Sequence, residues 1–514
     1  MIRKISILLL MIATLASCTK DFKKINIDPN NSPAVPLDYL LGQAQLYIGG
    51  SAGDPGYATW RANLIYALPA TQMFSSLSTF YAGDKYLYQA DLSEAYFVQQ
   101  YPNSVKGLVD LINQAKDDPK NINILSIARI LKVLQMSIIT DLYGDVPYSE
   151  AGQGFLSNNF SPKYDAQKDI YADMLKELSE AGPALDPSSY IPVKADFVYA
   201  GDLAKWKAFA NSLMLRLAMR MQKVDPASAE SWAKKALDGG VMTSNDETFA
   251  IHYANDGGTA TINSNSFNLG PLEAPTRNEV FKGSIQWSKT LIDMMKARSD
   301  PRLSTISTLK SGDMTPANQK GLPNGLDAGL LLAQTGETGS DNYSRPSGIL
   351  YSATDPYILL PYAEVEFMKT EAIERGWYTG VAATEYAAGQ AAAISQLSVN
   401  TGAPVISAAM IAAYQAQNPY PVAGTLADKM LAIHTEMFIL NASTLNGFEG
   451  WANYRRTGLP VLTPTNYPGN ATNGTIMRRL IYPTSEQGVN VNYQKAVAAQ
   501  GPDLFTTRVW WDTP

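Results

Sequence analysis

Apolar and polar positions along the chain fall into two regimes. In the first, apolar residues recur at helical spacing. Ile124, Ile127, Leu131, Leu134 and Ile138 step by three and four, laying one stripe along a helix over about 123–141. Trp206, Ala210, Leu213, Leu217 and Met221 repeat the pattern, as do Leu426, Met430, Ile433, Met437 and Leu440. Residues 361–376 open on Pro361 at a first helical position and stop at Gly376, with Val365, Met368 and Ala372 on one face. Further amphipathic segments over 164–181, 205–224 and 228–238 follow one another closely, which predicts helical hairpins stacked as a solenoid. No fixed-period signature runs from end to end, so the hairpins are expected to be irregular.

The second regime covers 239–284, 304–355 and 457–514. These stretches lack a helical period and are rich in Gly, Asn, Pro, Ser and Thr. Loops this long in a compact chain are usually functional or disordered, and their scattered aromatics argue for order. The predicted fold is therefore mostly α: helical hairpins as scaffold, with long irregular loops and minor β as the ligand face.

The amino terminus follows another rule. Arg3 and Lys4 precede an apolar run from Ile5 to Leu15, then Leu15-Ala16-Ser17-Cys18. This reads as a secretory signal, too short to span a bilayer. The tetrapeptide resembles a bacterial lipobox, which implies cleavage before Cys18 and lipid attached to it. The expected organisation is a signal peptide over 1–17, a lipidated flexible tether over 18–36 whose Asn, Pro and Lys favour a spacer, and a single ligand-binding domain over 37–514. A soluble exported protein with a chance cysteine is the alternative. No second apolar run of about twenty residues stands out, so lipid alone is expected to hold the body at a membrane.

Composition narrows the chemistry. Of 514 residues 46% are hydrophobic, enough for a large core, and the single Cys rules out disulfides and cysteine metal sites. A net charge of −6 with no Lys/Arg run argues against a nucleic-acid partner. His252 and His434 are the only histidines, and no Walker loop, nucleophile elbow or dinucleotide fingerprint occurs. A surface glycosidase needs only two carboxylates. Glu364, Glu371 and Glu374 lie near one helical face, but a solvated face with an i,i+4 pair from Glu371 to Arg375 explains them as well.

The stretch TDLYGDVPYSEA, residues 140–151, holds three carboxylates. Asp141, Asp145 and Glu150 could bind a structural calcium, yet they lack the alternating ligands of a calcium loop. The competing reading is a corner, with Gly144 stopping the helix in a left-handed conformation and Pro147 preventing its continuation. No other metal or cofactor is expected.

Here the sequence resembles the SusD/RagB family of nutrient-binding outer-membrane lipoproteins. NIDPNNSP (26–33), DPRLS (300–304), YAEVEFMKTEAIERG (362–376), FEGWANYRRTGLP (448–460) and RRLIYPTSEQGVNVNY (478–493) agree in order, and they are similar to the second-type SusD-like branch. The resemblance implies four tetratricopeptide-like hairpins and no catalytic activity. It further implies capture of an oligosaccharide or a peptide at the cell surface and delivery to a SusC-type TonB-dependent transporter. Arg455 and Arg456 are expected to pair with buried carboxylates rather than with ligand.

A glycan site needs exposed rings for stacking and amides or charges at its rim. SSLSTFYAGDKYLYQ (75–89) offers Phe80, Tyr81, Tyr86 and Tyr88. DGGTATINSNSFNLGP (256–271) offers Asn263, Asn265, Phe267 and Asn268, and GSDNYSRPSG (339–348) offers Asn342, Tyr343 and Arg345. Trp287 is a further candidate. Against each stands a structural alternative: rings packed over the solenoid, and Asn and Gly serving turns.

Overall fold

A computed structural model describes residues 35–51, 54–254, 264, 265, 267 and 284–514. The expected signal peptide, Cys18 and the tether to residue 34 lie outside the described residues, as do Asn263 and Asn268.

In the first half, α1 (Leu37–Ile48) is followed by a π-helical segment (Trp60–Ala67), α2 (Lys106–Ala115), α3 (Ile122–Tyr143), α4 (Gln167–Ala181), α5 (Leu203–Arg220) and α6 (Pro226–Asp238). In the second come α7 (Lys289–Ala297), α8 (Ala328–Thr335), α9 (Tyr362–Glu374), α10 (Ala382–Ser395), α11 (Ala408–Gln417), α12 (Leu426–Ser443) and α13 (Gly447–Thr457). The pairs α3–α4, α5–α6, α9–α10 and α12–α13 pack together, and α4–α5, α5–α9 and α9–α12 contacts stack the pairs. The chain is mostly helical, as its periodicity predicts.

Capping sets the boundaries. Asp202 accepts the N–H groups of Ala204 and Lys205, so α5 starts at Leu203. Asp225 accepts from Ser228 ahead of Pro226, which starts α6 two residues before the expected 228. Thr425 and Asp428 form a reciprocal capping box on α12. The expected helix over 164–181 begins only at Gln167, because Tyr164 and Asp165 pair as a strand with Val146 and Pro147. The irregular regions also hold short helices that the periodicity did not predict, among them α8.

The predicted stripes are buried, except that Leu426 at the first position of α12 is half exposed. Residues 119–143, which include α3, contain an 18-residue window apolar enough to cross a bilayer by composition, with a mean hydropathy of 1.6, yet 78% of that window is buried inside the protein. It is the central core helix of the scaffold.

Short antiparallel strand pairs pin the irregular segments to the scaffold: β1 (Phe74–Ser75), β2 (Val146–Pro147), β3 (Tyr164–Asp165), β4 (Phe249–Ile251), β5 (Gln286–Trp287), β6 (Ser307–Thr308), β7 (Arg345–Pro346) and β8 (Tyr357–Leu360). They pair as β1–β5, β2–β3, β4–β8 and β6–β7.

Buried charges tie the helices across pairs. Arg216 of α5 forks onto Glu364 of α9, Nε to Oε1 and Nη2 to Oε2, both at 2.7 Å. One turn on, Arg220 holds Glu449 of α13 at 3.0 and 2.5 Å and Asp141 of α3 at 3.2 Å. Arg456 grips Glu371 at 2.9 Å through two nitrogens, and Arg375 adds the expected i,i+4 contact at 2.7 Å. Glu364 and Glu371 are thus buried clamps, not a solvated face. Arg455 differs from expectation: it donates to the carbonyls of Asp141 (2.6 Å) and Arg478 (2.7 Å), with its guanidinium 4.3 Å from the Trp451 ring and 4.8 Å from that of Trp511.

The TDLYGDVPYSEA stretch is a corner. Asp141 also accepts from the Tyr171 hydroxyl (2.5 Å) and the Trp511 indole (2.9 Å). Asp145 accepts the Gln167 N–H at 2.8 Å, and Glu150 takes the Asn159 amide and the Lys163 N–H at 2.8 and 2.9 Å. The three carboxylates therefore serve separate protein partners. Gly144 has φ 85° and ψ −124°, outside the left-handed helical region expected for it. Glycine suits the position because L side chains rarely adopt a φ of 85°, and the Gln500 amide packs against the space a Cβ would fill.

Candidate ligand-binding platform

Trp60 heads the π-helical segment, in which the Leu68 N–H reaches back five residues to the Asn63 carbonyl. Such turns recur at functional sites because the extra residue re-aims the side chains before it. The segment is held from behind. Asn63 donates to the Leu445 carbonyl at 2.8 Å, and the α13 backbone presses so close that a Cβ on Gly447 would lie 2.2 Å from Asn63 Oδ1.

Opposite Trp60, the loop after β1 rises through two hydroxyl turns: the Ser76 hydroxyl accepts the Ser78 N–H (3.1 Å), and the Ser78 hydroxyl accepts the Phe80 N–H (3.2 Å). Its base is anchored by buried Lys85, which donates to Asp84 (2.9 Å) and to the Ser76 carbonyl (2.5 Å). Its far end is tied by the Gln89 amide to the Thr79 carbonyl at 2.8 Å.

The result is a cluster of rings. Phe80 lies 5.7 Å from Trp60 and 5.4 Å from Tyr81, Tyr81 is 6.3 Å from Trp60, and Tyr57 is 6.4 Å from Trp60. Phe80 is 40% exposed, Trp60 is half-buried and Tyr81 is buried beneath them. Arg61 lies 5.9 Å from the Tyr57 ring and donates to the Asp91 carbonyl at 3.4 Å. The indole N–H of Trp60 and Nε of Arg61 make no hydrogen bond among the described residues. Burial holds the Tyr81 phenol well above its ordinary range, so it stays a neutral hydroxyl. Exposed rings over a buried ring, with Gln89, Asp91 and Arg61 at the edge, can stack on an apolar face and bond to a polar rim.

The family model described as starch-binding, associating with outer membrane, SusD-like of the second type, matches residues 56–483. The chain belongs to the SusD-like family. Among solved structures, a chitin-binding protein is 34% identical, with a TM-score of 0.81 over 93% of this chain and 100% of that one. A chitin-binding SusD homolog from Flavobacterium johnsoniae is 26% identical, with a TM-score of 0.76 over 92% and 98%. A SusD homolog from Bacteroides uniformis is 25% identical, with a TM-score of 0.77 over 93% and 100%. No curated protein matches the chain.

Within this SusD-like protein the sequence candidates part company. Phe80 and Tyr81 join the platform. Tyr88, 41% exposed, stands at the other end of the same loop on Phe505, ring centres 5.8 Å apart. Burial, then the Asp503 carboxylate, raises its phenol. Tyr86 offers no face to a ligand: it is buried at φ 53°, and its hydroxyl accepts the Thr465 N–H at 3.4 Å. Trp287 is core, packed 4.6 Å from Phe74 with its indole donating to the Ile306 carbonyl at 3.1 Å. Tyr343 is buried too, its hydroxyl on Glu337 and the Lys320 ammonium 4.6 Å from its ring. Beside it Arg345 is buried in β7 and Asn342 is exposed. Asn265 bonds the Asp355 carbonyl at 2.7 Å, and Phe267 stands edge-on to Tyr357 at 5.2 Å. Sequence reasoning missed Trp60. The signal available was an aromatic-basic cluster, Tyr57-Ala-Thr-Trp60-Arg61, directly after Asp54-Pro-Gly.

Proposed function

We propose that this protein is a non-catalytic, lipid-anchored receptor of the outer-membrane surface that captures an oligosaccharide and hands it to a SusC-type TonB-dependent transporter. The observation that carries the reading is the Trp60–Phe80–Tyr81 platform, whose rings suit the C–H faces of a sugar while Gln89, Asp91 and Arg61 suit its hydroxyls. Two relatives named as chitin-binding point to N-acetylglucosamine oligomers as the first ligand class to try. The non-catalytic reading is supported by the buried carboxylates Glu364, Glu371 and Glu449, each engaged by a guanidinium rather than facing a cleft. Anchoring rests on Cys18 and its lipobox-like context, and delivery to a transporter rests on the family.

The test is calorimetry of the protein lacking residues 1–18 against chito-, malto- and fructo-oligosaccharides and a peptide mixture, with the same samples analysed for products. Saturable binding of an intact oligosaccharide is expected. Turnover of any oligosaccharide would overturn the receptor reading, and binding of peptides alone would replace the ligand class.

A further inference from the structure

Behind the platform loop lies a cleft of about 830 Å³, floored by Gln72 and walled by the start of α7 (Lys289, Thr290, Asp293), by residues 323–326 and one face of α8, and by residues 463–468. This volume is in the range of small-molecule sites, about 300–1,000 Å³.

The floor is built, not incidental. Gln72 is a non-glycine residue held at φ 57°, a conformation that persists only when its surroundings fix it. Its amide spans the cleft, donating to the Thr463 carbonyl at 2.5 Å and accepting from the Thr290 hydroxyl at 2.9 Å. Ser288 Oγ donates to its backbone carbonyl. These hydrogen bonds join three separate segments around one opening and hold Gln72 in its left-handed conformation.

The walls define the ligand chemistry. Their two charges, Lys289 and Asp293, pair with each other and leave the cleft neutral. What remains is amides and hydroxyls between small apolar surfaces. Gln334 makes no side-chain hydrogen bond among the described residues, and Asn466 uses only its oxygen, accepting from Asn470 at 3.0 Å. Asn324 likewise spends only its NH2, on the Phe74 carbonyl at 2.6 Å. Free amide donors and acceptors beside Leu326, Leu330, Ala333 and three prolines match a neutral, hydroxyl- and acetamido-bearing chain. They offer nothing to a charged ligand. The cleft also shares a wall with the platform: in the turn after Tyr81, Asp84 accepts the Gly325 N–H (3.1 Å) through its carboxylate and the Thr465 hydroxyl (2.5 Å) through its carbonyl.

We infer that this cleft is a second oligosaccharide-binding site, separate from the aromatic platform and specific for neutral sugars. The inference rests on the capture reading above. The test is calorimetric stoichiometry with N-acetylglucosamine tetramer and maltotetraose. The wild type is compared with Ala333→Trp, which fills the cleft from an exposed position, with Gln334→Ala/Asn466→Ala, and with Trp60→Ala/Phe80→Ala. Two sites per chain are expected in the wild type. Ala333→Trp should leave the platform site alone, the amide double variant should weaken the cleft site at least tenfold, and the platform variant should leave the cleft site alone. A single wild-type site lost with Trp60 and Phe80 and indifferent to Ala333→Trp would overturn the inference while the capture reading stands. No binding of either sugar by any variant would overturn both.

Discussion

The side-chain amide of Asn453 faces Nδ1 of His434 at 3.3 Å, and Arg456 decides what passes between them. Arg456 donates to the Asn453 oxygen at 2.9 Å, so the NH2 group points at the histidine and Nδ1 must accept. The ring proton then sits on Nε2, 3.5 Å from Glu371.

This neutral histidine makes stability depend on pH. Burial lowers the His434 pKa from 6.5 to about 3; the Glu371 carboxylate opposes this and the Arg456 and Arg375 guanidiniums reinforce it. The unfolded chain takes up a proton near its ordinary pKa while the folded one refuses it, so stability is complete above about pH 6.5 and falls as the pH drops toward 3. The slope is about 1.4 kcal/mol per pH unit for one proton. His434→Gln should flatten the fall between pH 6.5 and 4.5 by up to one proton's worth in denaturant melts. Parallel wild-type and variant curves would refute it.

The Arg216–Glu364 fork gives a second expectation. Arg216→Ala leaves Glu364 with no arginine fork in a buried site, and should cost about 3–5 kcal/mol. Arg216→Met combined with Glu364→Gln removes both charges and should cost less than Arg216→Ala alone, a non-additivity that chemical denaturation resolves.

At the platform, Phe80→Ala should weaken oligosaccharide binding by roughly tenfold, the scale of one stacking anchor of about 1–2 kcal/mol. Because Phe80 is exposed, its melting temperature should stay within about 2 °C of wild type. Unchanged affinity would move the binding face to Tyr88 and Asn342, the other exposed candidates.

Anchoring is tested by Cys18→Ala, which should leave a folded protein in the soluble fraction after carbonate washing. Retention of the variant with membranes would remove the lipid model.

The scaffold was legible because burial along α3, α5 and α12 imposes a 3.6-residue period that no other structure produces. Glu364 and Glu371 were misread for the same reason in reverse: polar letters on a helix look solvated unless the arginines from α5 and α13 that meet them are known. The ligand face was less legible still. Phe80 and Tyr86 stand six residues apart in one loop, and only the left-handed turn at Tyr86 sends one ring inward and leaves the other at the surface. Trp60 follows a turn signal at Asp54-Pro-Gly, but its placement beside Phe80 follows from a π turn braced by the α12–α13 connection, 382 residues away in sequence.

The indole of Trp511 closing on Asp141 also has a temporal meaning. The carboxylate belongs to the first third of the chain and its last partner to the final four residues. A chain emerging from its amino end can form α3, α4 and α5 early, yet Arg455, Arg220 and Asp141 wait with one wall missing until the carboxyl end arrives. Completion of this polar knot thus requires the carboxyl end, and a chain ending before Trp511 would lack both the indole that donates to Asp141 and the ring beside Arg455.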